Sequence, residues 1–351
     1  FRPFVYQLAK KLDLKGQVAN TSSGVTILLE GPLHDIESFL QGLATQSPPL
    51  AHITQVDAQP LAPKGYDDFS ISRSREDTQR LTLISPDVSI CNDCKNELFD
   101  PDDRRYAYPF INCTNCGPRY TIIDDIPYDR PKTSMRHFRM CPECQTEYDD
   151  PFNRRFHAQP NACPVCGPQV ALHDREKKRI ETKNAIETTI SLLKNGHVVA
   201  VKGLGGFHLV VDAENTAAVE TLRKRKHREE KPLAVMSGDI ERVRQFALVG
   251  KENEVLLQSR QRPIVLLEIK KDYALAKGVS PKNRTVGVML PYTPLHYLLV
   301  KDHFTALVMT SGNLSEEPIA IDNTDAFDRL RDIADYFLIH DRDIYLRSDD
   351  S

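Results

Sequence analysis

The chain has 351 residues, of which 40% are hydrophobic and 27% charged, and carries a net charge of −3 at pH 7. That length predicts two or three domains with sizeable cores. No run of eighteen apolar residues is present to span a membrane, and the near-neutral charge argues against double-stranded nucleic acid as a partner, leaving at most a local basic patch for phosphates.

The opening Phe1-Arg2-Pro3-Phe4 has neither an initiating methionine nor a leader pattern, and reads as a start that lacks its natural beginning. Over residues 3–14, Phe4, Val5, Leu8, Ala9 and Leu12 share one helical stripe, with Pro3 suited to a first turn. Strand-like runs at 17–20 and 25–30 around Thr21-Ser22-Ser23-Gly24 predict a hairpin. A second helix is expected over 33–43, then strands at 52–56 and 68–73, with the proline-bearing stretch 59–66 as a loop. The first region, 1–75, is thus a small α+β unit with one modest core.

This region resembles the acylphosphatase family. Phe1-Arg2-Pro3 matches the end of that family's phosphate loop. Gly16-Gln17-Val18-Ala19-Asn20, with Gly24-Val25 and Glu30-Gly31, matches its second motif. The resemblance implies a ferredoxin-like fold in which Arg2 holds an acyl phosphate through its forked guanidinium and Asn20 orients the attacking water. The glycine-rich half of the loop and the strand before it have no counterpart in this sequence, so this copy is expected to be an impaired catalyst.

All eight cysteines fall in the second region, 85–170, as four C-x-x-C pairs: Cys91/Cys94, Cys113/Cys116, Cys141/Cys144 and Cys163/Cys166. Each pair of the second unit follows its counterpart by fifty residues, and eighteen residues separate the two pairs within each unit. The repeat extends past the sulfurs. Glu97, Asp100, Pro101, Arg104, Arg105 and Tyr106 recur as Glu147, Asp150, Pro151, Arg154, Arg155 and Phe156. Two such turns supply the four soft ligands of a tetrahedral Zn2+, which predicts two structural zinc sites without an open position for substrate. Disulfides would need an oxidising compartment, and redox chemistry would need one motif at a strand-helix junction rather than four. Each unit is expected to fold on its own ion, although pairing across units also satisfies the spacing. Thiolate zinc sites point to the cytoplasm.

From about residue 180 onward, helices alternate with apolar strands as in α/β architectures. Helices are expected at 185–194, 216–226, 240–246, 252–259, 294–300 and 324–333, and strands at 197–201, 232–236, 264–269, 285–289, 306–310 and 336–339. The turn at 202–206, Lys202-Gly203-Leu204-Gly205-Gly206, is a weak phosphate signal by itself. Two segments strengthen it: the cationic run 223–228 with Lys231-Pro232, and the turn 310–315, whose hydroxyl and amide groups suit phosphate oxygens. A solvated helix face and an ordinary polar turn are the competing meanings.

Together these segments resemble the YrdC-like family, whose basic K-x-R motif before Pro-Leu and later Thr-Ser-x-Asn turn build an ATP site on a twisted α/β sheet. The counterparts are Lys226, Arg228 and Lys231 before Pro232-Leu233, with Thr310, Ser311 and Asn313; Lys202 is a further candidate, and 286–291 matches the strand before the substrate loop. The order of the three regions resembles the carbamoyltransferase family of NiFe-hydrogenase maturation. That resemblance implies carbamoyl phosphate and ATP with Mg2+ as substrates, carbamate and carbamoyl-adenylate as successive products, and a HypE-type protein as carbamoyl acceptor. The family's final transfer domain has no counterpart here. Two rivals remain open: a YrdC-like threonylcarbamoyl-AMP synthase, which leaves the first two regions unexplained, and a zinc-organised module that grips a protein.

Overall fold

The computed structural model describes residues 1–351 except 22–23, 49–50, 52, 73–84, 127, 274, 315–316 and 351, and leaves the Asn20 side chain undescribed. Among the described residues no helix is long and apolar enough to cross a membrane.

The first region consists of α1 (Arg2–Lys11), β1 (Lys15–Thr21), β2 (Gly24–Glu30), α2 (Leu33–Thr45) and β3 (Phe69–Ile71). The strands order as β2-β1-β3, with β2 antiparallel and β3 parallel to β1. The predicted stripe supplies Val5, Leu8 and Ala9 to a core completed by Leu14, Val18, Phe39, Leu43 and Phe69. Gly16 is required at the start of β1: its φ is +134°, and a Cβ there would stand 1.9 Å from the Leu28 carbonyl oxygen. The strand expected over 52–56 is not formed by the described residues 53–56, where Ile53 only packs against the core edge; His52 lies outside the described residues. The strand expected at 68–73 shrinks to β3, and Arg73 also lies outside them.

Each zinc-type unit contributes one short helix, α3 (Asn92–Phe99) and α4 (Pro142–Asp149), that begins directly after the first cysteine of its pair. Short 3-10 turns at Arg130–Lys132 and Ser134–His137 lie between the units. Leu98, Tyr108, Phe110, Ile111, Ile122 and Met135 form the core, joined by Tyr297 of the third region.

The third region is one mixed eight-stranded sheet, in the order β4-β11-β5-β6-β10-β7-β9-β8. Its strands are β4 (Val170–Asp174), β5 (Val199–Lys202), β6 (Phe207–Asp212), β7 (Val235–Met236), β8 (Val265–Glu268), β9 (Thr285–Met289), β10 (Leu307–Ser311) and β11 (Tyr336–His340). The helices are α5 (Ala185–Lys194), α6 (Thr216–Lys226), α7 (Ile240–Phe246), α8 (Lys251–Gln258), α9 (Pro294–Val300) and α10 (Asn323–Leu330). One apolar layer joins residues of α6, α7 and α10 to one face of the sheet, and a second joins α5 and α9 to the other. Most helices start at a side-chain cap, including Asn184, Asn215, Asp239, Thr293 and Asp322. The sequence pattern does not reveal β4 and β6. The first pairs with the distant β11, and the second forms a hairpin with β5 across the glycine-rich turn.

Candidate zinc centres and nucleotide cleft

Thiolates held ~2.3 Å from one tetrahedral ion stand roughly 3.8 Å apart. In the first unit Cys91–Cys113, Cys113–Cys116 and Cys116–Cys94 sulfur separations are 3.7, 3.8 and 3.6 Å. In the second, Cys141–Cys163 and Cys163–Cys166 are both 3.7 Å. Four sulfurs converge in each unit within 4.8 Å of one another, too far for disulfides and well suited to zinc. The grouping also settles the pairing: each unit gathers its own four cysteines, as the repeat predicts.

The arginines that recur with the cysteines are exchanged between the units. Arg104 of the first unit donates to Cys144 Sγ (3.3 Å) and Glu147 (2.8 Å) of the second, and the buried Arg105 binds Glu147 and the Ala162 carbonyl oxygen. Reciprocally, Arg154 donates to Cys94 Sγ (3.1 Å) and Glu97 (3.1 Å), while Arg155 binds Glu97 and the Asn112 carbonyl oxygen. Burial opposes ionisation of Glu147, yet the bonds from Arg105 and Arg104 outweigh it and hold the carboxyl at about 2. A thiolate-rich site carries excess negative charge, so each unit supplies the counter-charge of its twin.

The cationic run at the end of α6 does not converge as a block. Arg223 turns back to hold the following loop through the carbonyl oxygens of Arg228 (2.7 Å), Glu229 (3.1 Å) and Lys231 (3.2 Å). Arg225 points to Asp335 at 2.9 Å. Lys226 and Arg228 face the turn after β10. The buried Lys226 ammonium donates to the carbonyl oxygens of Ser311 (2.5 Å) and Asn313 (2.7 Å) and to Asn313 Oδ1 (2.8 Å). Arg228 donates to Thr310 Oγ1 (3.1 Å) and the Pro232 carbonyl oxygen (2.6 Å). Burial, helped by the neighbouring Arg228, lowers the Lys226 ammonium to about 7. Lys231 is exposed beside this group. Lys202 lies elsewhere: its ammonium donates to the His340 carbonyl oxygen at 3.2 Å. Of the turn 310–315, Ser315 lies outside the described residues.

In the first region, Arg2 is half-buried at the start of α1; burial lowers its pKa, opposed by Asp129 and Tyr148 of the finger region. The same helix docks there through Gln7, which donates to the Pro151 carbonyl oxygen at 2.5 Å, and through Tyr6 against Phe156. Asn20 sits in β1 opposite Val25.

Residues 1–71 match the acylphosphatase family, residues 90–123 and 140–173 each match the HypF finger, and residues 191–351 match the Sua5/YciO/YrdC family, described as telomere recombination. The carbamoyltransferase HypF of Synechocystis sp. is 51% identical over 352 residues, taking in 100% of this chain and 46% of the relative. The chain is HypF-like along its whole length. The probable carbamoyltransferase HypF of Methanocaldococcus jannaschii is 49% identical over the same shares, 100% and 46%. A crystal structure of full-length HypF in the phosphate- and nucleotide-bound form matches with a TM-score of 0.95 at 51% identity, covering 100% of this chain and 46% of that one. The chain thus spans about half the length of these relatives.

Sequence reasoning misses a second polar group at the same end of the sheet. His208 Nε2 and Tyr292 Oη lie 2.9 and 3.1 Å from Asp350 Oδ2, and the His296 ring packs against both His208 and Tyr292. Both His296 nitrogens are buried without partners among the described residues, and burial, with His208 beside it, pushes this imidazole to about 3. The Ser348 amide, which donates to the Gly205 carbonyl oxygen at 3.1 Å, holds the tail against the β5–β6 turn. These residues come from three distant segments, so no local spacing reveals them.

Proposed function

We propose that the protein is the part of a hydrogenase-maturation carbamoyltransferase that makes carbamoyl-adenylate. The observation that carries this reading is the convergence of Lys226, Arg228, Thr310, Ser311 and Asn313 in a chain that matches HypF proteins from end to end. In the first region, water would hydrolyse carbamoyl phosphate to carbamate and inorganic phosphate; Arg2 would hold the phosphate group and Asn20 the water. In the third region, a carbamate oxygen attacks the α-phosphorus of Mg2+-bound ATP and pyrophosphate leaves. Lys226 and Arg228 would neutralise the charge that builds on the phosphates, which is the dominant demand of such a transfer. Lys231 lies at the rim, and the hydroxyls of Thr310 and Ser311 add neutral donors. Zinc would supply no chemistry here, only the rigidity of the fingers. The carbamoyl group would pass on to the C-terminal cysteine of a HypE-type acceptor. We also place the protein in the cytoplasm, where thiolate zinc sites persist.

Exchange of labelled pyrophosphate into ATP, dependent on carbamoyl phosphate, tests this reading. Lys226→Ala and Arg228→Ala are expected to reduce it at least tenfold, and unaltered exchange in both variants would refute the placement of the nucleotide. Exchange driven by threonine and bicarbonate instead of carbamoyl phosphate would favour the threonylcarbamoyl-AMP alternative.

A further inference from the structure

Lys202, His340 and Arg342 are all buried, at 2, 2 and 6% relative exposure, where the sheet meets the first finger. Lys202 ends β5, and His340 ends its neighbour β11. Their partners do not match their charge. Lys202 Nζ finds only the His340 carbonyl oxygen among the described residues. His340 Nε2 lies 3.3 Å from the Gly203 carbonyl oxygen, while its Nδ1 has no partner among the described residues. Among the described residues the Arg342 guanidinium makes no ion pair; its Nε is buried and unpartnered, and its plane lies 5.1 Å from the Phe110 ring centre. Of the nearby carboxylates, Asp341 accepts from the Gln169 amide, Asp87 from the Arg119 and Thr121 amides, and Asp322 caps α10, while the exposed Asp343 acts on Lys202 only through space and forms no ion pair with it among the described residues. Unpaired buried cations are costly, so such a cluster calls for an anion.

A cavity of about 30 Å³ opens onto these three side chains, walled on the other side by Ile90, Phe110 and Leu295. One water needs ~10–15 Å³ of such space, so the void admits an occupant of roughly two waters' size. A nucleotide is far too large. We propose that this cavity binds a small planar monoanion of the carbamate and bicarbonate type at the seam between finger and sheet. Lys202 and Arg342 provide the charge, and the apolar wall excludes the water that would decompose carbamate. The site rests on the carbamate chemistry proposed above, and it would hold that intermediate on the way to the nucleotide.

The probe is 13C-labelled bicarbonate, which shares the shape and charge of carbamate and is stable. Titration of the protein is expected to give saturable broadening of the 13C signal. Lys202→Gln should weaken it at least tenfold, Lys202→Arg should restore most of it, and Lys226→Met should leave it unchanged. Leu295→Phe, which fills the cavity without touching a charge, should abolish it, with two zinc ions per chain retained as the check of folding. No saturable broadening in the unaltered protein, or broadening that survives Lys202→Gln or Leu295→Phe, would overturn the proposal. Because this readout needs no turnover, absence of pyrophosphate exchange would sink the proposed function while leaving the anion site separately decided. The source is distinguished by adding bicarbonate to the exchange reaction. Competition with carbamoyl phosphate that disappears in Lys202→Gln assigns the site to carbamate, and exchange insensitive to bicarbonate that nevertheless binds there assigns it to bicarbonate.

Discussion

The exchanged arginines of the fingers and the two buried lysines of the sheet end are held in opposite ways. In the fingers, Arg105 and Arg155 meet the carboxylates of Glu147 and Glu97, and Arg104 and Arg154 reach thiolate sulfurs across the repeat. In the cleft Lys226 meets two carbonyl oxygens and an amide oxygen, and in the separate cavity at the finger seam Lys202 meets a single carbonyl oxygen. Full counter-charge favours the closed state that is already present; neutral partners leave charge available for a ligand that brings its own. The difference separates a scaffold from a site.

The largest test of the scaffold is Cys144→Ser. Loss of the ion removes on the order of 10 kcal/mol of apparent folding free energy from its unit, and bound zinc should fall from two per chain to at most one. Because Arg154 and Arg155 reach from the damaged unit to Cys94 and Glu97, the remaining zinc should also pass to a chromogenic chelator faster. Each charged hydrogen bond is worth about 1.5–3 kcal/mol, so ten- to hundredfold acceleration is expected. Release at the original rate would show that the units are independent and that the exchanged arginines are incidental.

Next come Glu147→Gln and Lys226→Met, compared by urea unfolding. The first leaves Arg105, 1% exposed, without its carboxylate and should cost about 3 kcal/mol. Since Glu147 is held below its ordinary 4.5 at about 2, its contribution is complete above the ordinary value and is lost as pH falls toward 2. The second relieves the cost of burying an ammonium but leaves its three oxygen acceptors without that donor, so the two effects offset and stability should move by less than about 1 kcal/mol. ATP affinity should nonetheless fall at least tenfold. Equal destabilisation by both substitutions would erase the contrast between scaffold and site.

How much of this was legible in the sequence follows from which interactions are local. The cysteine groups were readable because a C-x-x-C turn fixes two ligands by chain geometry alone. So were α5, α6 and α9, where caps and apolar period coincide. By contrast, β4 owes its existence to pairing with β11 more than 150 residues away in the chain, which no window of sequence contains. The run 223–228 looked like one patch, but successive helical residues point about 100° apart, so Arg223, Arg225 and Lys226 serve three different surroundings. The arginine exchange was present in the repeat as Arg104-Arg105 and Arg154-Arg155, yet only the fold shows that each pair serves the other unit.

The smallest effect, and the finest test of the cleft, is the pH dependence of nucleotide binding. Lys226 is lowered to about 7 by burial and by Arg228, with Lys231 acting in the same direction and Asp349 opposing. The carbonyl oxygens of Ser311 and Asn313 around it do not titrate. A lowered lysine is increasingly neutral above that value, whereas bound triphosphate favours the charged form. Binding must then draw in up to one proton, and ATP affinity should fall by at most tenfold per pH unit above about 7. Calorimetry in two buffers of different ionisation enthalpy would show this uptake at pH 8, and Lys226→Arg, which stays charged, should remove it. Proton uptake that persists in the arginine variant would place the titrating group elsewhere.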